Sequence, residues 1–247
     1  MKFNLKKIAL AAVALVATAS TMTSCVDNDD DNTTGGGART FALVTYTGTE
    51  TILMGDGGSG YVSTFAYYGA DNTAANCRST YETRLPKDVA EAGQRMVIGY
   101  TLNNSNSTPY PSGAINVMSY VLVPTISLQT GTHEEATANN APMALYYVQG
   151  QPSINRTGNY INLEIYMPYF ADREFSIIAD ESTLSTDTPE LYISTKEKGQ
   201  GSGTTAVQMA SFEITDVWRN PAVTGVKIHV NNTAGNQLQV FEFKKIT

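Results

Sequence analysis

Few side chains in this chain of 247 residues have the type and spacing that chemistry needs. The thiols are Cys25 and Cys77, and the imidazoles are His133 and His229. His133-Glu134-Glu135 begins like a zinc-binding helix, but Thr137 stands where the second histidine is needed. His229 lies far along the chain in a strand-like segment, so the two histidines read as separate surface or half-buried groups. Gly55-Asp56-Gly57-Gly58-Ser59-Gly60 lacks the Lys-Ser/Thr ending of a phosphate loop, and no helix follows it. Ser59 has no strand-to-helix turn around it and is no nucleophile elbow. Gly199-Gln200-Gly201-Ser202-Gly203 is a flexible connection. Cys77 lies in a polar stretch beside Arg78, whose charge favours the thiolate; a silent unpaired cysteine is the simpler reading. No catalytic residue, metal ligand or cofactor is expected, and the chain reads as non-enzymatic. A glycosidase needs two carboxylates across a cleft, and no motif singles out such a pair.

Tyrosine is the one enriched side chain, at 14 residues. Tyr67, Tyr68, Tyr146, Tyr147 and Tyr166 cluster at strand ends, with Tyr169 close by. Aromatic rings stack on the apolar faces of sugars, which makes these five the candidate ligand contacts. The plainer explanation is strand propensity with half-burial.

The elements that must position these residues are strands. Thr40–Tyr46, Thr51–Met54, Tyr61–Tyr67, Gln94–Leu102 and Ala114–Val123 are β-branched, aromatic or alternating. Thr47-Gly48-Thr49 reads as a turn, Asp71–Glu82 as a polar loop, and Pro86–Gly93 as one helical turn or a turn-rich loop. In Gln94–Leu102, Arg95, Val97 and Gly99 alternate with Met96, Ile98 and Tyr100. Pro124 is a natural stop. Five strands in this span suit a small barrel. Beyond it, Met143–Val148, Tyr160–Met167, Glu174–Ala179, Leu191–Thr195, Val226–Val230 and Leu238–Lys244 read as strands, and Ser211–Thr215 as a short one. Ile161, Leu163, Ile165 and Met167 point inward from their strand. Even spacing with turn signals argues a sandwich.

The amino terminus supplies an address. Lys2, Lys6 and Lys7 precede an unbroken apolar run from Ile8 to Ala17, then small residues to Ser24. That order is a secretory signal peptide, and the run is shorter than the roughly 20 residues that span a bilayer. Met22-Thr23-Ser24-Cys25 resembles a bacterial lipobox, in the loose form common in Bacteroidetes. The resemblance implies diacylglyceryl transfer to the Cys25 sulfur, cleavage after Ser24 and acylation of the new terminus. Several acyl chains, at about 0.8 kcal/mol per buried CH₂, make a stable anchor. Asp27, Asp29, Asp30 and Asp31 with Gly35-Gly36-Gly37 form a solvated tether. The acidic run also resembles the surface-export signal of Bacteroidetes lipoproteins. The formal charge of −7 becomes −10 without residues 1–24, with 13 basic against 23 acidic residues. Without the four tether aspartates it is −6. Such acidity argues against nucleic acid as a partner. Only Cys77 remains beside the anchored Cys25, so the fold must hold without an internal disulfide.

The strand motifs carry a family resemblance. Lys87-Asp88 before Gly93-Gln94-Arg95-Met96-Val97-Ile98-Gly99-Tyr100-Thr101-Leu102, then Tyr160–Ile165, Leu191-Tyr192-Ile193, Phe212–Thr215 and Val226–Val230, resemble the NigD-like lipoproteins of Bacteroidetes. The resemblance runs from Arg39 to Lys245. It implies an all-β chain: an N-terminal OB-type small barrel followed by a C-terminal β-sandwich. With the cleaved lipoprotein signal peptide and acidic tether, the organisation is 1–24 signal, 25–37 lipidated Cys and tether, 38–125 barrel, 126–247 sandwich. The family brings no catalytic motif; its proposed role is bacteriocin immunity. The expected function is therefore a non-catalytic binding or protective module, lipid-anchored through Cys25 in the outer membrane and exposed at the cell surface. Its partner is a protein, from a toxin or the envelope. The alternative is a glycan-binding accessory lipoprotein of a surface uptake system.

Overall fold

The computed structural model describes residues 40–53, 59–69, 74–80, 85–86, 89–102, 111–138, 142–168, 173–198, 205–232 and 237–245. The signal peptide, Cys25, the tether, Tyr169 and the Gly199–Gly203 connection lie outside them, as does most of the Gly55–Gly60 connection. The chain divides into two compact units, one ending at Val123 and the other beginning at Pro124.

In the first unit, β1 (Thr40–Leu53), β2 (Ser59–Tyr68), β3 (Ala74–Ser79), β4 (Arg95–Leu102) and β5 (Gly113–Val123) close into a barrel in the order β1-β2-β3-β5-β4. Only β3 and β5 pair in parallel; the other pairs are antiparallel. This is the expected OB-type barrel. Its core includes Val44, Phe65, Met96, Ile98, Tyr100 and Ile115. The alternation read in β4 therefore holds, with Met96, Ile98 and Tyr100 inward. Gly99 is required by close approach: a Cβ there would lie 2.5 Å from Ser119 Oγ and 3.0 Å from the Phe41 ring. Arg95 is fully buried and donates from its guanidinium to Thr45 Oγ1 (2.9 Å).

Two local expectations are corrected. Thr47-Gly48-Thr49 is a bulge within one long strand. Residues Thr40–Thr45 of β1 pair with β4, and Val44–Leu53 pair with β2. The register shifts between Tyr46 and Gly48, where Gly48 has φ 147°. A bulge bends the strand, which lets it serve both neighbours around a small barrel. The second correction is β3, which occupies part of the stretch read as a polar loop. Ala74-Ala75-Asn76-Cys77-Arg78-Ser79 has weak strand propensity. Pairing with β2 on one side and β5 on the other makes it extended. The described part of 86–93 contains a turn at Ala92-Gly93 and no helix.

The second unit contains β6 (Thr125–Ser127), β7 (Gln129–Gly131), α1 (His133–Thr137), β8 (Ala144–Leu145), β9 (Tyr147–Val148), β10 (Gln151–Pro152), β11 (Ile154–Thr157), β12 (Tyr160–Pro168), β13 (Arg173–Asp180), β14 (Glu190–Glu197), β15 (Thr205–Glu213), α2 (Thr215–Trp218), β16 (Gly225–Asn232) and β17 (Gln237–Lys244). One sheet has the order β11-β12-β15-β6, with β8 also on β12; the other is β17-β16-β14-β13-β7. Ile161, Leu163, Ile165, Ile177, Phe212 and Ile228 lie in the shared core, so the unit is a sandwich. Ile161, Leu163 and Ile165 face inward as expected; nothing is described of the Met167 side chain.

The segment Met143–Val148 is not one strand. Met143 makes a single bridge to Asn232, β8 joins β12, and β9 pairs with β10. Tyr146 stands at the break. Gln149 (φ 51°) and Gly150 (φ 81°) turn β9 into β10, both in the left-handed region that tight hairpins use. The short Ser211–Thr215 strand belongs to the nine-residue β15, and Thr215 starts α2. Glu135 of the His-Glu-Glu run closes a capping box with Thr132: Thr132 N–H donates to Glu135 Oε2 (2.8 Å) and Glu135 N–H to Thr132 Oγ1 (3.2 Å). No helix of the described residues is long and apolar enough to cross a membrane.

Candidate functional site

The five candidate tyrosines separate into different environments. Tyr67 packs against the barrel core, and Tyr68 follows it, half-buried, on β2. Tyr147 packs against the sandwich core, and its hydroxyl accepts from Asn232 Nδ2 (2.8 Å), a structural role. Tyr146 and Tyr166 meet. Their rings are 5.1 Å apart and nearly perpendicular (77°), and Tyr166 is 43% exposed.

Strand alternation explains this pair and adds to it. With Ile161, Leu163 and Ile165 turned to the core, β12 places Tyr160, Asn162, Glu164 and Tyr166 on its other face. Asn162 is 1% exposed and fully engaged. Its Nδ2 donates to Asn155 Oδ1 (2.9 Å) and Thr157 Oγ1 (2.8 Å), and its Oδ1 accepts from Ser211 Oγ (2.8 Å). Glu164 is also buried, and its Oε2 accepts from Ser153 Oγ (2.6 Å). Burial pushes this carboxyl above its usual range, opposed by the Ser153 bond. Backbone bonds hold the group together. Tyr146 N–H donates to Glu164 C=O (2.9 Å), Ser153 N–H to Tyr146 C=O (2.7 Å), and Glu164 N–H to Ser153 C=O (3.0 Å). The break between β8 and β9 sets Tyr146 beside Glu164, and the β9–β10 hairpin returns Ser153 to both.

The resulting cluster is Tyr146, Ser153, Glu164 and Tyr166: an exposed ring beside a desolvated acceptor. Sequence reasoning named the two tyrosines and missed Ser153 and Glu164. The available signal was the clean alternation of β12, which puts Glu164 and Tyr166 on one face about 6.6 Å apart.

The histidines form a second cluster on the other sheet. Asp180 Oδ2 accepts from His133 Nδ1 (2.9 Å), and Asp180 Oδ1 accepts from Ser182 N–H (3.0 Å) and Oγ (2.7 Å). The Ser182 bonds, then His133, hold the Asp180 carboxyl below its usual range against the effect of burial. His133 lies edge-on to Tyr192 (5.4 Å, 86°), and Tyr192 stacks on His229 (4.3 Å, 12°). Tyr192 OH donates to Glu190 Oε2 (3.2 Å). His229 Nε2 lies 3.1 Å from the same oxygen, but neither ring nitrogen completes an aligned hydrogen bond. Burial lowers the His229 imidazole, with Glu190 opposing. Burial, then Glu190, pushes the Tyr192 hydroxyl up to about 12. The two histidines, read as separate, share one tyrosine because Tyr192 and His229 are register partners across β14 and β16. Among the described residues, no group of three or more His, Cys, Asp or Glu could hold a metal ion.

For Cys77 the polar-loop placement and the thiolate favoured by Arg78 are corrected, while the reading as a silent, unpaired cysteine agrees with a free, buried thiol. It sits in β3 with its side chain in the barrel core, 4% exposed, and burial pushes the thiol up to about 12. Arg78 is exposed and does not activate it. A thiolate is disfavoured there.

No protein-family profile matches the sequence, and no curated protein matches it significantly. Solved structures do match. A Bacteroides vulgatus protein of unknown function, DUF1344, has a TM-score of 0.60 at 14% identity, covering 85% of this chain and 92% of its own. A Bacteroides fragilis protein described as a putative lipoprotein has a TM-score of 0.53 at 12% identity, covering 85% and 99%. A NigD-like immunity protein from Bacteroides caccae has a TM-score of 0.52 at 12% identity, covering 86% and 100%. These likenesses establish a shared fold. They support the NigD-like resemblance drawn from the strand motifs, since a NigD-like immunity protein has this architecture along its whole length.

Proposed function

We propose that this chain is a lipid-anchored, non-catalytic binding module of the outer membrane, displayed at the cell surface, with a protective role of the immunity type. The observation that carries the reading is the fold likeness to a NigD-like immunity protein, over 86% of this chain and all of that one. The same likeness to a protein described as a lipoprotein, together with the Met22-Thr23-Ser24-Cys25 motif, supports the anchor. The acidic run after Cys25 supports display at the surface. The partner on this reading is a toxin or envelope protein. Replacing Cys25 by Ala should release the protein from membranes; continued membrane partition would refute the anchor. Deleting the gene should sensitise cells to a co-resident toxin, and unchanged killing would sink the protective role.

A second reading, a glycan-binding accessory lipoprotein, is favoured by the exposed Tyr166 ring held against Tyr146. Tyr147 is packed against the sandwich core with its hydroxyl on Asn232, and Tyr67 and Tyr68 belong to the barrel unit. Glycan-array binding lost on Tyr146→Ala or Tyr166→Ala is the expected result; a blank array would count against it.

A further inference from the structure

Glu164 poses a problem that its surroundings leave open. A carboxylate withdrawn from water is normally balanced by a cation or by several hydrogen bonds. Glu164 is 7% exposed, and among the described residues its side chain has one hydrogen-bond partner, the neutral Ser153 hydroxyl. No Lys, Arg or His among the described residues acts on its ionisation. By contrast Glu190, on the other sheet, has Lys227 and His229 beside it. On the same face of β12, two residues along, Tyr166 presents an exposed ring whose orientation the perpendicular Tyr146 ring fixes. Aromatic faces attract cations. The spacing of about 6.6 Å lets an alkyl chain lie along the ring and deliver its charged head toward the carboxylate. The chain as a whole is acidic, at −7.

We infer that Tyr146, Ser153, Glu164 and Tyr166 form a docking site for a lysine or arginine side chain on a basic peptide segment. The inference rests on the protein-partner reading above and names the chemistry of that partner. A bound cation would offset the desolvation of Glu164, which a neutral sugar hydroxyl does less well. Tyr166 would cover the alkyl stem and Ser153 would keep the carboxylate oriented.

The test uses the chain from residue 26 onward, titrated calorimetrically with amidated pentalysine and, separately, with neutral maltopentaose. Pentalysine should bind. Glu164→Gln should weaken it roughly tenfold or more, as loss of a charge-assisted contact does. Tyr166→Ala should weaken it about two- to fivefold, the range of an exposed cation–π contact. Glu91→Gln removes an exposed acid from the barrel and controls for overall charge; it should change binding less than about twofold. Glu164→Gln keeps an acceptor for Ser153, so folding is preserved, and unfolding followed by Trp218 fluorescence checks this. Equal weakening by Glu91→Gln and Glu164→Gln would reduce the effect to bulk charge and overturn the site. So would maltopentaose binding that depends on Tyr166 while pentalysine does not bind. The underlying reading fails separately, if gene deletion leaves toxin killing unchanged.

Discussion

The Asn162 ladder is where stability should be most sensitive to a single polar atom. Asn162→Ala removes three hydrogen bonds. Asn155 is exposed and water replaces its partner, so that loss is small. Ser211 Oγ is different: the residue is 0% exposed and donates to Asn162 Oδ1. Stranding a buried donor costs about 1–3 kcal/mol, and the bond to the buried Thr157 contributes about 0.5–1.5 kcal/mol. The expected loss is therefore about 3 kcal/mol. Urea unfolding followed by fluorescence measures it. The chain has a single tryptophan, Trp218, which packs against the sandwich core and so reports that unit. With a slope near 2 kcal/mol per molar urea, the midpoint should fall by about 1.5 M. Ser211→Ala in the Asn162→Ala background removes the stranded hydroxyl. The double variant should recover about 1 kcal/mol or more relative to the sum of the single losses. A midpoint shift below about 0.3 M, or strict additivity, would refute the account of a fully engaged buried amide.

Two further outcomes follow from the buried titratable groups. Cys77 should resist iodoacetamide at pH 8 in the native protein and react after denaturation, by peptide mass mapping, because its thiol is buried and pushed up to about 12; rapid native labelling would contradict its place in the barrel core. His229 is held below the ordinary imidazole value, so the unfolded chain takes up its proton first. Stability from this group should hold above about pH 6.5 and fall as pH drops below it. Glu190 opposes that loss, while Lys227 and His133 add to it. His229→Gln should flatten the urea midpoint between pH 7.5 and 5.0, and an unchanged slope would show that another group dominates. Asp180 shifts the other way, its carboxyl being held below the usual range, so its contribution is lost only at still lower pH.

Much of the fold is legible in the sequence where strands alternate or are β-branched. In β12, Ile161, Leu163 and Ile165 declare the buried face, and β4 declares Met96, Ile98 and Tyr100 in the same way. What escapes is structure made by neighbours rather than by local preference. Ala74–Ser79 has no reason to be extended until β2 and β5 lie on either side. Thr125–Ser127 and Gln129–Gly131 are too short to carry a period, and each is a strand because a longer one accepts it. The candidate site divides likewise. Tyr146 and Tyr166 are visible as tyrosines, whereas Ser153 becomes relevant only through the β9–β10 hairpin that returns it to Glu164. The His133–Tyr192–His229 stack depends on a parallel register between β14 and β16 that no local pattern encodes.

β6 and β7 follow one another with only Leu128 between them, yet they belong to opposite sheets. Each is held by a partner synthesised much later: β7 by β13, and β6 by β15 at Ser211–Glu213. The opening of the sandwich is made early and placed late. Such long-range pairing slows folding, because distant segments must meet before any contact rewards them. β6 cannot be seated in its sheet until β15 has emerged, so the first strand of the sandwich is fixed only after most of the unit has been made.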